Sequence, residues 1–124
     1  MREILFRGKT YDGKWEQGDL RHGGYVHNDS ETYIMRADVA LHNIPVDPKT
    51  IGQYTGLTDK NGKKIFEGDI ITDGYGTAVV KYNESKAAFY VEAVIGGEYL
   101  GEEWDADIKI IGNIHDNPEL LKGE

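Results

Sequence analysis

Cysteine is absent from this chain. Disulfides, thiolate metal sites and a cysteine nucleophile are excluded with it, and the composition suits a reducing compartment. Proline is scarce, with Pro45, Pro48 and Pro118 making up the whole set. Serine is scarcer still: Ser30 and Ser85 each sit in a polar stretch, and neither belongs to a nucleophile motif. No apolar run approaches the roughly 20 residues that cross a bilayer as a helix. The segment from Met1 to Gly8 is too short and too charged for a signal peptide. No membrane association is expected, and the cytoplasm of the cell that makes the protein is the expected location.

Good apolar helix formers are also few. The 7 Ala, 7 Leu and 2 Met are outnumbered by 12 Ile, 7 Val, 8 Tyr, 7 Thr, 3 Phe and 2 Trp, the residue types that favour strands. The 16 glycines punctuate the 124 residues at close intervals. Together these predict an all-β chain of many short antiparallel strands in small barrel-like or SH3-like sheets. Strands are expected over 2–7, 14–20, 50–54, 77–82, 87–95, 99–104 and 108–114, with a hairpin joining 25–27 to 32–36. Phe89, Val91, Ala93 and Ile95 share one face of their strand. Asn61-Gly62 predicts a type I′ hairpin turn, with positive φ at both residues. Asp47-Pro48 predicts a turn. The single helical expectation is one C-terminal turn, with Asn117 as cap and Pro118 at the first helical position.

The length fits one domain, 1–124. Residues 37–50 are the least readable, and Pro45 and Pro48 are expected to rule out a central strand there. Two lobes, about 1–46 and 47–124, would meet in that stretch. A short internal echo runs across them: Gly13-Lys14-Trp15-Glu16-Gln17-Gly18-Asp19-Leu20 is matched by Gly62-Lys63-Lys64-Ile65-Phe66-Glu67-Gly68-Asp69-Ile70, with one residue inserted. Two similar β units and a chance likeness both account for it.

The run Ile51-Gly52-Gln53-Tyr54-Thr55-Gly56-Leu57-Thr58-Asp59-Lys60-Asn61-Gly62-Lys63-Lys64-Ile65-Phe66-Glu67-Gly68-Asp69-Ile70 resembles the signature of the YopX family of bacteriophage and prophage proteins. Phe6-Arg7-Gly8 with Gly13-Lys14-Trp15, and the closing run from Ile111 to Leu121, are similar to the same family. The resemblance spans nearly the whole chain and is weakest over 21–46. It implies a small β-rich phage protein of uncharacterised function in the cytoplasm of a bacterial host. It implies no active site. From their chemistry, Gly52, Tyr54, Thr55, Gly56, Leu57, Asp59, Gly62, Glu67, Gly68 and Asp69 are expected to be structural. Glycines meet backbone requirements, and Asp59 and Asp69 close turns through their carboxylates.

Charge is unevenly distributed. Residues 1–83 carry 12 acids and 11 bases, whereas residues 84–124 carry 10 acids and 3 bases. The densest acidic group is Glu98, Glu102, Glu103, Asp105 and Asp107, with Trp104 among them. Such a field repels phosphate backbones and attracts a basic partner. These six residues are the candidate partner-binding surface for a protein of the host or the phage. The alternative is a solvated face that keeps the chain soluble, with Trp104 turned into the core.

Catalysis has no positive sign. Glu67 and Asp69 would share a strand face, and a carboxylate pair can do acid–base work, but both residues flank a turn glycine. His22, His27, His42 and His115 lack metal-ligand spacing. No phosphate-binding glycine loop occurs. A non-catalytic protein-binding module without a cofactor or metal is therefore expected. Two alternatives stay open. A nucleic-acid-binding module would use Arg2, Arg7, Lys9, Lys14, Arg21, Arg36, Lys60, Lys63 and Lys64 with stacking aromatics. A self-assembling structural protein would pair exposed strand edges between copies.

Overall fold

A computed structural model describes residues 3–22, 32–36, 43–74, 76–93, 99–101 and 107–121. The chain forms two compact units, Met1–Tyr54 and Thr55–Glu124. Among the described residues, all regular structure is strand except one 3-10 turn at Pro118–Leu121.

The first unit is a meander of β1 (Phe6–Lys9), β2 (Trp15–His22), β3 (Thr32–Met35) and β4 (Asn43–Pro45), followed by β5 (Asp47–Thr58), whose residues from Thr55 on belong to the second unit. β1 lies between β2 and β5, and the order runs β4-β3-β2-β1-β5 with β6 beyond it. Pairing is antiparallel, with Gly8 opposite Glu16 and Leu20 opposite Ile34. Strands β2 and β3 approach so closely that a Cβ on Gly18 would lie 2.1 Å from the Met35 carbonyl oxygen. Only glycine permits that approach. Ile34 and Val46 are fully buried in this unit.

Several expectations are corrected here. β3 pairs with Asp19–His22 of β2, whereas the sequence pointed to Tyr25–His27, which lies outside the described residues. Strand β2 runs through Arg21 and His22, two residues past the expected end at Leu20. Asp47-Pro48 opens β5 instead of turning the chain. The pairing of β1 with β5 shifts register between Arg7 and Lys9. Pro48 is accommodated there because a strand start at an irregular pairing does not use its missing N–H. Pro45 lies in β4, a terminal strand of its sheet, where a proline is tolerated.

The second unit holds β6 (Lys64–Phe66), β7 (Asp69–Thr72), β8 (Thr77–Asn83), β9 (Ala88–Ala93), β10 (Tyr99–Gly101) and β11 (Lys109–Asn113). The last five form a sheet in the order β10-β9-β8-β7-β11. Ile65, Ile71, Ala78, Val80, Val91 and Ile108 make its core, with Ile110 packed against them. Each large apolar side chain of this kind contributes about 1.5–3 kcal/mol on burial. The expected shared face of β9 holds for Phe89 and Val91: Val91 is buried opposite Val80, and Phe89 packs edge-on against Tyr82 at 5.1 Å, while the Ala93 side chain and Ile95 lie outside the described residues.

Neither sheet closes on itself, so the barrel-like expectation gives way to two open antiparallel sheets. The outer edge of β11 shows why a further strand is not needed there. Ile110 N–H is taken by the Asp59 carboxylate, and the Ile108 carbonyl accepts from Lys60 N–H. A side chain and a turn satisfy groups that a closing strand would otherwise pair.

The two echo segments begin with the same five-residue turn. Thr10 N–H donates to Lys14 O, Gly13 N–H to Thr10 O, and Lys14 N–H to Thr10 Oγ1. Asp59, Gly62 and Lys63 make the same three bonds, with Asp59 Oδ1 in place of the hydroxyl. Gly13 and Gly62 both have positive φ, at 93° and 80°. Asn61 does not, so this is not the type I′ turn expected. The likeness ends at the Gly-Asp pairs. Gly18-Asp19 is internal to β2, whereas Glu67-Gly68 is a turn that precedes Asp69.

Candidate functional site

The signature residues form a continuous hydrogen-bonded framework. Gly52 and Tyr54 are buried on β5, and Tyr54 N–H donates to Leu5 O. Thr55 Oγ1 donates to Ile65 O at 2.8 Å and accepts from Leu57 N–H at 3.2 Å. Gly56 has φ 91°, which kinks the end of β5 and leaves Leu57 partly exposed.

Asp59 is the hub. Its Oδ1 accepts from Asn61 and Lys63 N–H, each at 2.9 Å, and its Oδ2 accepts from Ile110 N–H at 3.1 Å. One carboxylate therefore closes a turn and fastens it to a strand more than 50 residues away in sequence. Burial pushes this carboxyl up, but the donors of Ile110, Lys63 and Asn61, with the Lys63 ammonium, hold it below the usual carboxylate range.

Glu67 and Asp69 do not form an acid–base pair on one strand face. Glu67 lies in the turn with Gly68, and Asp69 is 2 % exposed with Oδ2 accepting from Phe66 N–H at 2.7 Å. Gly68 donates to Val80 O and accepts from Ile114 N–H, which joins the signature to the closing run. That run is itself interlocked. Asn113 Oδ1 accepts from His115 and Asp116 N–H, and Asn117 Oδ1 accepts from Asn113 N–H at 3.2 Å. Asn117 thus reaches back to Asn113 with its side chain, where the sequence suggested a helix cap. His115 belongs to this turn. The side chain of His22, and His27 and His42 entirely, lie outside the described residues. Among the described residues no three His, Cys, Asp or Glu side chains converge to hold a metal.

Of the proposed partner-binding surface, Asp107 is described and is exposed. It lines a polar cleft of about 470 Å³ with Lys60, Thr72, Asp73 and Lys109. Two lysines therefore stand near this acid, which the linear charge count did not reveal. Glu98, Glu102, Glu103, Trp104 and Asp105 lie outside the described residues. No helix among the described residues is long and apolar enough to cross a membrane.

A family model described as YopX protein matches residues 5–122. The chain belongs to the YopX family. The match includes the signature hub, the Gly68 junction and the closing run, so the framework built from these residues lies within the family's extent. A crystal structure of protein EF1440 from Enterococcus faecalis is similar, with a TM-score of 0.61 and 23 % identity. That alignment covers 98 % of this chain and 100 % of the other, and it shows a shared fold. No curated protein matches this YopX-family chain.

Of the basic residues named for the nucleic-acid alternative, Arg7 and Lys9 gather on one aromatic ring in the first unit, a meeting the sequence did not specify. Arg7 Cζ stands 4.8 Å from the centroid of the Trp15 ring, and Lys9 Nζ stands 6.0 Å from it. The signal was available in part, since Arg7 and Lys9 alternate on β1 and so share a face. What brings them to Trp15 is register, because Lys9 pairs directly with Trp15.

Proposed function

We propose that this chain is a phage- or prophage-encoded, non-catalytic module that binds a basic protein partner through its acidic C-terminal third. One observation carries the reading. Residues 84–124 hold 10 acids against 3 bases, while the preceding 83 residues are near balance. Glu84, Glu92, Asp107, Asp116 and Glu119 of this segment are all on the surface. A field of one sign speeds encounter with a partner of the other and selects against like charge. Trp104, within the acidic run, would be its aromatic anchor. Self-association is compatible with this reading, since open sheets keep edges that a second copy can pair.

The test is affinity capture from bacterial lysate with and without nuclease, followed by salt titration of the captured partner. The reading expects a partner that survives nuclease, leaves at high salt, and binds at least tenfold more weakly to the Glu102→Lys, Glu103→Lys, Asp105→Lys triple variant. Unchanged binding to that variant overturns it.

The Arg7–Trp15–Lys9 cluster favours a second reading, nucleic-acid binding by the first unit, because stacked aromatics flanked by cations suit single strands. A gel shift at low salt decides it. No shift with single-stranded or duplex probes at tens of micromolar protein rejects it.

A further inference from the structure

The chain holds six asparagines, and Asn61 is the one that a glycine follows. Asparagine is a thermolabile residue, and its decay starts when the next main-chain nitrogen reaches its side-chain carbonyl. A side chain on the following residue hinders that approach, and glycine has none. The other five are less open to it. Asn117 precedes Pro118, which has no main-chain N–H. Asn83 and Asn113 engage their side-chain oxygens with nearby N–H groups, of Lys86 and of His115 and Asp116. Asn43 precedes the branched Ile44, and Asn28 precedes Asp29 and lies outside the described residues.

The turn presents Asn61 and guards it at the same time. Asn61 and Gly62 are both exposed, and a Cβ on Gly62 would meet nothing within 4 Å, so water reaches this face. The nitrogen that would attack is held. Gly62 N–H donates to Asp59 O at 2.9 Å. On either side of it, Asn61 and Lys63 N–H donate to Asp59 Oδ1. Attack requires the Gly62 nitrogen to lose its proton, and the carboxylate beside it disfavours a second negative charge there. The other oxygen of that carboxylate holds Ile110 N–H of β11, an edge strand of its sheet. A chemical change in the main chain at 61–62 therefore bears on β11.

We infer that Asn61, guarded by Asp59, is a site of spontaneous deamidation and isomerisation, and that its isoaspartyl product releases the turn from β11. The deprotonated Gly62 nitrogen forms a bond to Asn61 Cγ. The bond from Cγ to the side-chain nitrogen breaks, and that nitrogen takes a proton from water and leaves as ammonia. The succinimide so formed is opened by water at either carbonyl. Opening at the side-chain carbonyl gives aspartate, and opening at the main-chain carbonyl gives isoaspartate. In sum a water enters and an ammonia leaves, and nothing is oxidised or reduced. Aspartate adds a charge and keeps the main-chain spacing. Isoaspartate adds a methylene to the main chain between the Asn61 and Lys63 N–H groups, so the two no longer fit one oxygen of Asp59 together. The site lies outside the acidic segment and needs no partner.

The experiment ages the full-length chain at physiological temperature and mildly alkaline pH. Peptide mapping by mass spectrometry and isoaspartyl methyltransferase labelling follow the reaction. Deamidated product is expected at Asn61 ahead of every other asparagine, and Asn61→Ser is expected to lose the isoaspartyl label. The guard predicts a slower reaction in the folded chain than in the same chain in urea. It also predicts a rate raised roughly fivefold in Asp59→Ala, the weight of one net hydrogen bond. The isoaspartyl form, separated by ion exchange, is expected to exchange its Ile110 amide faster than the parent, whereas Asn61→Asp keeps the parent's protection. Product spread evenly over the asparagines, or faster elsewhere, overturns the site. A folded rate equal to or above the rate in urea overturns the guard. Unchanged exchange at Ile110 in the isoaspartyl form overturns the release from β11.

Discussion

Replacing Asp59 by alanine removes three hydrogen bonds at once, two within its own turn and one to Ile110 of β11. Bonds to a charged acceptor contribute about 1.5–3 kcal/mol each, and a buried donor left unmade costs about 1–3 kcal/mol. Asn61 and Lys63 are exposed, so water can replace the carboxylate at their N–H groups. Ile110 is half-buried and its donor is harder to satisfy. The expected loss is therefore about 3 kcal/mol, smaller than the full sum of three bonds. For a domain with only 5–15 kcal/mol to spare, that is a large fraction. Asp59→Asn keeps one acceptor oxygen and is expected to fall between the parent and alanine. The assay is urea unfolding followed by circular dichroism, with amide hydrogen exchange read at Lys63 and Ile110. Faster exchange at both sites is expected. A loss under about 1 kcal/mol, or unchanged protection at Ile110, would refute the role given to this carboxylate. The pH dependence follows from the lowered folded-state value. A carboxyl with a depressed folded pKa contributes its full stability above the unfolded value of 3.8, and loses it as pH falls through the folded value. The stability gap between parent and Asp59→Asn is thus expected to be constant near neutrality and to shrink in acid below that point.

Three further perturbations have definite expected outcomes. Gly18→Ala sets a Cβ 2.1 Å from a carbonyl oxygen and should cost more than about 3 kcal/mol, seen as loss of dispersed NMR signals from β2 and β3; a variant that melts like the parent contradicts the close approach of those strands. Ala87 is the one non-glycine residue with positive φ among the described residues, at 51° in the turn between β8 and β9. Ala87→Gly should raise stability by about 0.5–1 kcal/mol in thermal melts, and a lower melting temperature would count against a strained turn. Lys81 and Glu92 form an exposed cross-strand ion pair whose hydrogen bond raises the lysine above its ordinary value. A double-mutant cycle should give under about 1 kcal/mol of coupling that fades in high salt, and a larger, salt-insensitive coupling would mean the pair is not solvent-screened.

The most legible parts of this chain are those whose signal is local. Ala78 and Val80 alternate into one core with Val91, and β8 and β9 follow from that pattern. The places of the turns at Gly13 and Gly62 were also legible, because only a flexible backbone fits there. The kind of turn was not. Asn61-Gly62 has the composition of a type I′ hairpin, but the Asp59 carboxylate rewards a different geometry in which Gly62 alone takes positive φ. The length of β5 was hidden by Pro48 and Gly56, which read as breakers but are absorbed at a strand start and a kink. The echo likewise held for the turn and failed at Gly-Asp, because neighbouring strands decide whether that dipeptide continues a strand or bends it.

Residue types and their spacing alone determined that the protein is all-β, that it carries the YopX signature, and that its charge gathers toward the C-terminus. Those properties are sums over side chains or short strings, and they need no knowledge of what lies beside what. Tertiary structure decided everything that depends on pairing across distance. It chose β2 as the partner of β3, brought Asp59 to Ile110, buried Asp69 beside a turn, and set Lys60 in one cleft with Asp107. The β2–β3 pairing, the Asp59–Ile110 bond and the placing of Lys60 with Asp107 join residues far apart in the chain, where strand register, and not local propensity, determines the neighbour.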